Sequence, residues 1–287
     1  MEDKSKLDAL MSLLDDPDQQ IYDQIKGELI NFGNAIVPIL EERWEKSYDK
    51  RLQNRLENLI HKINLSNVGA MLMDWKKADG SYLDASIIIA RYQYPELNEQ
   101  AIRDFVDQLT QDIWIELNPN YTAMEKAGVI NKVFFSIYGF HGNKEDFHHP
   151  KNAYINQVLD RRKGSPISLA ILYLEIASRL RVPVYGVNLP EHFVLAYTDL
   201  PLPFGDRRDP NNILFYINLF NQGSFFQMED IEEFLSQLQL EVKSEFYLPC
   251  SKLEVVKRLI NNLIYAYNQH EEDEKVNDLL DLRKNLL

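Results

Sequence analysis

The spacing of apolar residues in this 287-residue chain changes at Pro183. Before this proline, apolar side chains recur three and four positions apart, which is the period of an amphipathic helix. After it, residues 184–188, 192–197 and 215–220 alternate between two faces, as in short strands that local turns join. Helical spacing returns near Met228. The pattern therefore predicts an α+β fold, in which a small antiparallel sheet is flanked by helical segments on both sides of the sequence.

The helical pattern divides the chain into three predicted parts. Residues 1–64 form an N-terminal helical unit. Its paired helices resemble HEAT-type repeats, but two short pairs are too few for a solenoid, so a simple helical cap is the favoured interpretation. Residues 65–250 form the main domain, which contains the sheet. Residues 251–287 form a helical hairpin that turns at an acidic segment.

The charge and cysteine content limit the partners and the compartment. Acidic side chains outnumber basic ones by 44 to 31, so the net charge is −13. This balance repels phosphate backbones and anionic membrane surfaces, and we expect no nucleic-acid or membrane partner. Cys250 is the one cysteine, which excludes an intrachain disulfide. Because the charged, amphipathic start of the chain lacks the apolar core of a signal peptide, we expect a cytoplasmic protein.

One loop, rich in histidine, is a candidate for a metal site. It contains His141, His148 and His149 together with Glu145 and Asp146. Their spacing reproduces no closed ligand set, such as two Cys-x-x-Cys pairs or His-Glu-x-x-His. The sequence also lacks a glycine-rich phosphate loop. We therefore expect no metal and no cofactor, and interpret the histidine-rich segment as a solvated loop.

A proline begins a helix whose apolar residues extend around the circumference, so we expect this helix to be buried on most of its faces. Proline suits the first helical position, where Pro166 lies, because the amide of that residue has no helical partner to lose. Ser165 precedes it and is expected to be the N-cap, whose hydroxyl accepts an amide hydrogen bond. Ser168 lies about 200° around the helix from Pro166 and points away from any site built there. We expect structural roles for both serines.

Six ordered segments between about residues 80 and 225 resemble one family. They are Ile-Ile-Ala-Arg-Tyr-Gln-Tyr-Pro-Glu-Leu at 88–97, Gly-Phe-His-Gly-Asn at 139–143, Asn-Ala-Tyr-Ile-Asn-Gln-Val-Leu-Asp-Arg-Arg at 152–162, Gly-Ser-Pro-Ile-Ser-Leu at 164–169, Gly-Val-Asn-Leu-Pro-Glu-His-Phe at 186–193 and Phe-Tyr-Ile-Asn-Leu-Phe-Asn-Gln-Gly at 215–223. The set is similar to the Sir B-type branch of the transglutaminase-like superfamily. The C-terminal hairpin resembles the tetratricopeptide-like tail that many members carry.

This resemblance implies a papain-like core in which a helix N-terminus faces a curved sheet. Active members of the wider superfamily place a cysteine at the helix start, a histidine on one strand and an aspartate on the next. The helix terminus and an imidazolium lower the pKa of such a thiol, and the third residue fixes the imidazole tautomer. In this chain the three positions fall on Pro166, His192 and Asn218. Asparagine can orient a histidine, but proline has no nucleophilic atom, so the ordinary thiol mechanism is excluded.

The favoured hypothesis is a pseudoenzyme with a regulatory role that binds a peptide or protein. The binding groove would lie between the helix at 166–180 and the strands, and its candidate lining residues are His192, Asn218, Tyr185, Tyr197 and Tyr216. His192 itself is interpreted as a rim or buried histidine that bonds to Asn218.

Two other hypotheses stay open. The first is a cysteine-type acyl transferase or hydrolase, in which His192 is the general base and Cys250 or a water is the nucleophile. The second is an adaptor that binds partners through its helical ends, 1–64 and 251–287, while the core is inert. A nucleophile within about 3–4 Å of His192 would favour the enzyme over both binding hypotheses.

Overall fold

The computed structural model describes residues 2–199 and 209–286. Helices dominate these residues, and two small sheets occur among them, so the predicted α+β class is confirmed. The chain forms two compact units, Met1–Asp74 and Trp75–Leu287. Within the described ranges, every helix is too short or too polar to cross a lipid bilayer.

The first unit is built from amphipathic helices. They are α1 (Glu2–Ser12), α2 (Gln19–Ile30), α3 (Val37–Lys46) and the first part of α4 (Lys50–Ala78). Their apolar faces meet in one core that includes Leu14, Leu29, Leu40 and Leu56. Asp18 caps α2 by accepting a hydrogen bond from the amide of Gln20 at 2.8 Å, which explains why the acidic break in the sequence begins a helix.

The second unit contains the sheet and the remaining helices. Its helices after α4 are α5 (Tyr82–Gln93), α6 (Glu99–Glu116), α7 (Ala123–Asn131), α8 (Ile155–Arg161), α9 (Pro166–Arg179), α10 (Met228–Gln237), α11 (Ser244–Tyr247), α12 (Lys252–Gln269) and α13 (Asp273–Asn285). Its strands are β1 (His141–Gly142), β2 (Lys163–Gly164), β3 (Val184–Val187), β4 (Val194–Thr198), β5 (Ile213–Asn218) and β6 (Ser224–Phe226). Strands β3 to β6 form an antiparallel sheet in sequence order, as predicted, while β1 and β2 pair in parallel.

Helix α9 is the centre of the second unit. Every residue from Pro166 to Ala177 is buried, which confirms that this helix packs on most of its faces. It contacts β3 and β4 on one side and α5, α6 and α12 on others. The buried carboxylate of Glu175 accepts hydrogen bonds from the amide of Leu83 at 3.1 Å and from Nε of Arg179 at 2.7 Å. These bonds satisfy a charge that would otherwise be costly to bury.

Both faces of the four-stranded sheet are covered. Val194, Ala196 and Tyr216 lie on one face and pack against Ile231 and Leu235 of α10. The residues between them, such as Tyr197, lie on the opposite face, towards α9. The predicted C-terminal part, 251–287, lies within this second unit, and α12 packs against α5, α9 and α13.

Candidate functional site

The beginning of α9 is fixed by two buried serines. Ser165 is the N-cap, as predicted, and its hydroxyl accepts a hydrogen bond from the amide of Ser168 at 3.4 Å. In return, Oγ of Ser168 accepts a bond from the amide of Ser165 at 2.9 Å and donates to the carbonyl oxygen of Asn152 at 2.6 Å. Because these bonds engage both hydroxyls within the fold, the structural roles expected for the two serines are confirmed.

Pro166 lies at the first position of α9, as predicted, and its ring forms part of a cavity wall. This cavity has a volume of about 540 Å³, and we call it the Pro166 cavity. The residues that line it are Phe147, His148, Pro166, Ile167, Glu191, His192, Phe193, Arg258, Asn261, Asn262 and Tyr265. The structure therefore brings two of the three predicted triad positions, Pro166 and His192, to one cavity.

His192 is exposed and lies two residues before β4, not on a strand. The cause is a turn at Glu191, which has a left-handed φ of 60°. Within this turn the amide of His192 donates to the carbonyl oxygen of Pro190 at 2.7 Å. The imidazole packs on the ring of Phe234, with 4.9 Å between the ring centroids. Among the described residues the imidazole makes no hydrogen bond, so packing alone orients it.

Asn218 is the last residue of β5, and its side chain caps a short turn. Its Oδ1 accepts a hydrogen bond from the amide of Asn221 at 3.1 Å. Asn218 and His192 both line a second cavity, of about 170 Å³, beside Phe234 of α10. In the part of the chain that the structure describes, no bond joins the imidazole to Asn218, which differs from the bond we expected. The asparagine side chain instead acts as a local cap after β5.

The three candidate tyrosines lie away from the Pro166 cavity. Tyr197 stacks on Phe215, with ring centroids 5.1 Å apart, and lines a separate cavity of about 510 Å³. Tyr216 is buried towards α10, where its hydroxyl donates to the carbonyl oxygen of Tyr247 at 3.0 Å. Burial raises the pKa of both phenols. Tyr185 is partly buried and lies close to Tyr82. Because helices cover both faces of the sheet, its tyrosines belong to the packed layers.

Cys250 lies beside β3, the outer strand of the sheet. Its amide donates to the carbonyl oxygen of Gly186 at 2.8 Å, and the preceding residue, Pro249, bridges to Val187 of β3. The thiol is close enough to Tyr82 and Arg258 to interact with both electrostatically. Among the described residues, the sets that line the two cavities at His192 do not include Cys250. The structure thus gives no geometric support to a thiol delivered to His192.

The polar wall of the Pro166 cavity comes from α12, which the sequence pattern did not connect to the site. Arg258, Asn262 and Tyr265 occupy spacings of four and three residues and lie on one side of this helix. No local signal marked these residues, because α12 also carries polar residues outside the cavity, such as Lys257 and Gln269. Nη1 of Arg258 donates to Oδ1 of Asn188 at 3.1 Å. Burial lowers the pKa of this guanidinium, and the nearby Cys250 opposes that shift.

The histidine-rich loop is organised by local contacts. Nδ1 of His149 accepts a hydrogen bond from the amide of Lys151 at 3.1 Å, and it thereby caps a turn. The ring of His148 packs between Phe147 and Tyr265, at 4.9 Å from each centroid. Nδ1 of His141 lies 2.8 Å from the carbonyl oxygen of Gly139. Within residues 2–199 and 209–286, no cluster of three or more histidine, cysteine or acidic side chains has the arrangement of a metal site.

Residues 100–261 match the family model described as the Transglutaminase-like superfamily. The matched segment includes α9, the sheet and the half of α12 that carries Arg258. It thus covers most of the walls of the Pro166 cavity.

Relatives in bacteria and animals extend this match. A UPF0162 protein of Xylella fastidiosa is 29% identical over 191 residues, which cover 64% of this chain and 64% of the relative. A UPF0162 protein of Pseudomonas aeruginosa is 30% identical over 186 residues, covering 63% of this chain and 62% of the relative. F-box only protein 21 of Homo sapiens is 28% identical over 295 residues, covering 91% of this chain and 45% of the relative. The chain therefore spans less than two thirds of these relatives. No solved structure matches it significantly.

Proposed function

Because the chain belongs to the Transglutaminase-like superfamily and its resemblance to the thiol-using members implies that Pro166 occupies the nucleophile position, we propose that it binds a peptide or protein segment in the Pro166 cavity without catalysing its turnover. The observation that carries this proposal is the identity of the residue at the start of α9. A proline ring offers neither a nucleophile nor an amide hydrogen, while the cavity in front of it remains open.

The lining of the cavity suits a peptide. Ligand sites are typically concave, largely apolar and about 300–1,000 Å³ in volume, with a few placed polar groups. The Pro166 cavity, at about 540 Å³, has Phe147, Ile167 and Phe193 as apolar surface. Asn262 and Arg258 offer amide and guanidinium donors on the opposite wall. Such a combination can hold one apolar side chain together with nearby main-chain carbonyl groups.

The wider context agrees with a binding role. The match to F-box only protein 21 along 91% of this chain supports a protein as the partner. The same proposal includes a cytoplasmic, regulator-like role and membership of the Sir B-type branch. It also includes a HEAT-like N-terminal unit and a tetratricopeptide-like character of α12 and α13. We also propose that the chain does not bind nucleic acid, and its net charge of −13 supports this.

The test is a selection of displayed random peptides on the purified 287-residue chain. Asn262→Trp would fill the cavity, and Asn268→Trp is the matched control, because it places the same side chain on an exposed position of α12. We expect selected peptides to lose binding at least about tenfold in Asn262→Trp and to keep it in Asn268→Trp. Both variants should retain the wild-type circular dichroism spectrum.

The same peptides decide between binding and catalysis. Each selected peptide is incubated with the wild-type chain, and its mass is then measured by mass spectrometry. We expect this mass to be unchanged. Cleavage or acyl transfer that disappears in His192→Ala would overturn the non-catalytic proposal and favour the acyl transferase or hydrolase. Binding that is equal in both tryptophan variants would show that the partner surface lies elsewhere.

A further inference from the structure

Arg258 differs in its partners from two other partly buried arginines of this unit, Arg103 and Arg179. Arg103 pairs with Asp84 at 2.6 Å and with Glu99 at 2.7 Å. Arg179 pairs with Glu175 at 2.7 Å and also with Asp107. Although burial acts to lower the pKa of both groups, these hydrogen bonds raise it overall. The carboxylates thus compensate each guanidinium.

The guanidinium of Arg258 has no such compensation. It is partly buried in the wall of the Pro166 cavity and donates to the neutral amide oxygen of Asn188 at 3.1 Å. Within residues 2–199 and 209–286, no carboxylate lies at ion-pair distance from it, although the chain carries an excess of acidic residues. An arginine has five N–H donors, so most of its hydrogen-bonding capacity remains for a ligand. Removing a charge from water without a counter-ion is costly.

We propose that the Pro166 cavity recognises a carboxylate of its peptide ligand through Arg258. The two parallel N–H donors of a guanidinium match the two oxygens of a carboxylate. Asn262 lies one helical turn further along α12 and offers an amide donor to the same group. Phe147 and Ile167 then contact the adjoining apolar side chain. This inference rests on the proposed function and specifies the ligand class.

A single negative charge fits the cavity better than a phosphate. Arg258 is the one lysine or arginine among the described lining residues, and Glu191 stands at the same cavity. A doubly charged phosphate would meet one fixed positive charge and one acidic neighbour. A carboxylate meets the same two groups, but its single negative charge is matched by Arg258 and is repelled less strongly by Glu191. It can come from the C-terminus of a peptide or from an acidic side chain.

The experiment compares probes that carry a carboxylate at the C-terminus, no carboxylate, or a carboxylate on a side chain. They are N-acetyl-phenylalanine, its amide, and N-acetyl-glutamyl-phenylalaninamide, which moves the carboxylate to a side chain. Each is titrated into the ¹⁵N-labelled 287-residue chain, and the Nε–H resonance of Arg258 is followed by NMR. We expect a carboxylate probe to bind at least about tenfold more tightly than the neutral amide. Whichever acid binds more tightly identifies the source of the carboxylate.

Two matched variants test whether Arg258 causes the preference for the acid over the amide. In Arg258→Gln the preference for the acid should disappear, whereas Lys257→Gln removes the same charge from the neighbouring position and should preserve it. If Arg258→Gln does not fold, the comparison between acid and amide on the wild-type chain decides the question. A preference that persists in folded Arg258→Gln would overturn the proposal. Tighter binding of inorganic phosphate than of either acid would also overturn it.

The outcome separates this inference from the proposed function. If acid and amide bind equally and Asn262→Trp weakens both, a peptide site exists but Arg258 does not select a carboxylate. If none of the three probes binds and no displayed peptide is selected, both proposals fail.

Discussion

The hydroxyl of Tyr154 lies 2.9 Å from the hydroxyl of Tyr267, and both rings are buried. Tyr267 in turn donates to Oε1 of Gln93 at 3.1 Å. This chain of hydrogen bonds joins α8, α12 and α5. The C-terminal helices are therefore bound into the core of the second unit by polar groups as well as by apolar packing.

Tyr267→Phe should destabilise the second unit. The change leaves the Tyr154 hydroxyl and the Gln93 amide oxygen without their partner at positions where water has little access, which costs about 1–3 kcal/mol. Urea unfolding followed by circular dichroism measures the loss. Tyr265→Phe is the control, because that side chain is 50% exposed, and it should change stability by less than about 0.5 kcal/mol. Equal effects of the two variants would contradict the role given to the network.

The same tyrosine predicts a dependence of stability on alkaline pH. Burial raises the pKa of Tyr267 from 10.0 to about 12, although the hydrogen bond from Tyr154 acts in the opposite direction. The folded state therefore holds this proton more tightly than the unfolded state does. Its contribution, roughly 2–3 kcal/mol, is complete below pH 10 and is lost as the pH rises through about 12.

Urea midpoints at pH 9, 10, 11 and 12 test this prediction. The stability difference between the wild-type chain and Tyr267→Phe should shrink as the pH rises, because phenylalanine does not titrate. Lysines titrate in the same range in both proteins, so the comparison removes their effect. A difference that is constant from pH 9 to 12 would show that folding does not raise the pKa of Tyr267.

The sequence predicted the elements that depend on local spacing. The N-cap at Ser165, the proline at the first position of α9 and the antiparallel strands all follow from short-range rules, and the structure confirms them. The turn that takes His192 off the strand does not follow from alternation. It depends on the left-handed φ of Glu191, a residue type that seldom signals such a turn.

The composition of the site was predicted less well, because it depends on long-range packing. Period two predicts which sheet residues share a face, but not that helices cover both faces, so Tyr197 and Tyr216 were assigned to a groove. Asn218 could bond to His192 or cap its own turn, and the structure shows the cap, in which Oδ1 accepts from the amide of Asn221. Arg258 and Pro166 line the same cavity although they are 92 residues apart in the sequence, and no short motif predicts that they meet.

Ser168→Ala tests the hydrogen bonds that fix the beginning of α9, where Pro166 lies. Its hydroxyl links the carbonyl oxygen of Asn152 to the amide of Ser165, and its loss should cost about 1–3 kcal/mol. The matched control is Ser178→Ala, an exposed serine on the same helix, which should be close to neutral. Thermal unfolding of both variants provides the measurement. A wild-type melting temperature in Ser168→Ala would contradict the assignment of this serine to the helix cap.

Arg55 should stabilise the first unit but not the second. Its guanidinium is buried over the ring of Tyr22, 4.2 Å from the centroid, and donates to the carbonyl oxygens of Leu14 at 2.9 Å and Asp16 at 2.6 Å. Arg55→Met would leave both carbonyl groups without this donor, so we expect a loss of roughly 2–4 kcal/mol. Arg51→Met is the matched control, because Arg51 is exposed although it also donates to Asp16.

Hydrogen exchange read peptide by peptide can resolve where the chain loses stability. Arg55→Met should accelerate exchange in peptides from residues 1–74 and leave α9 protected, since the chain forms two compact units. Arg51→Met should leave both regions close to wild type. If Arg55→Met accelerates exchange in α9 as much as in α2, the two units unfold together, and the buried guanidinium supports the stability of the whole chain.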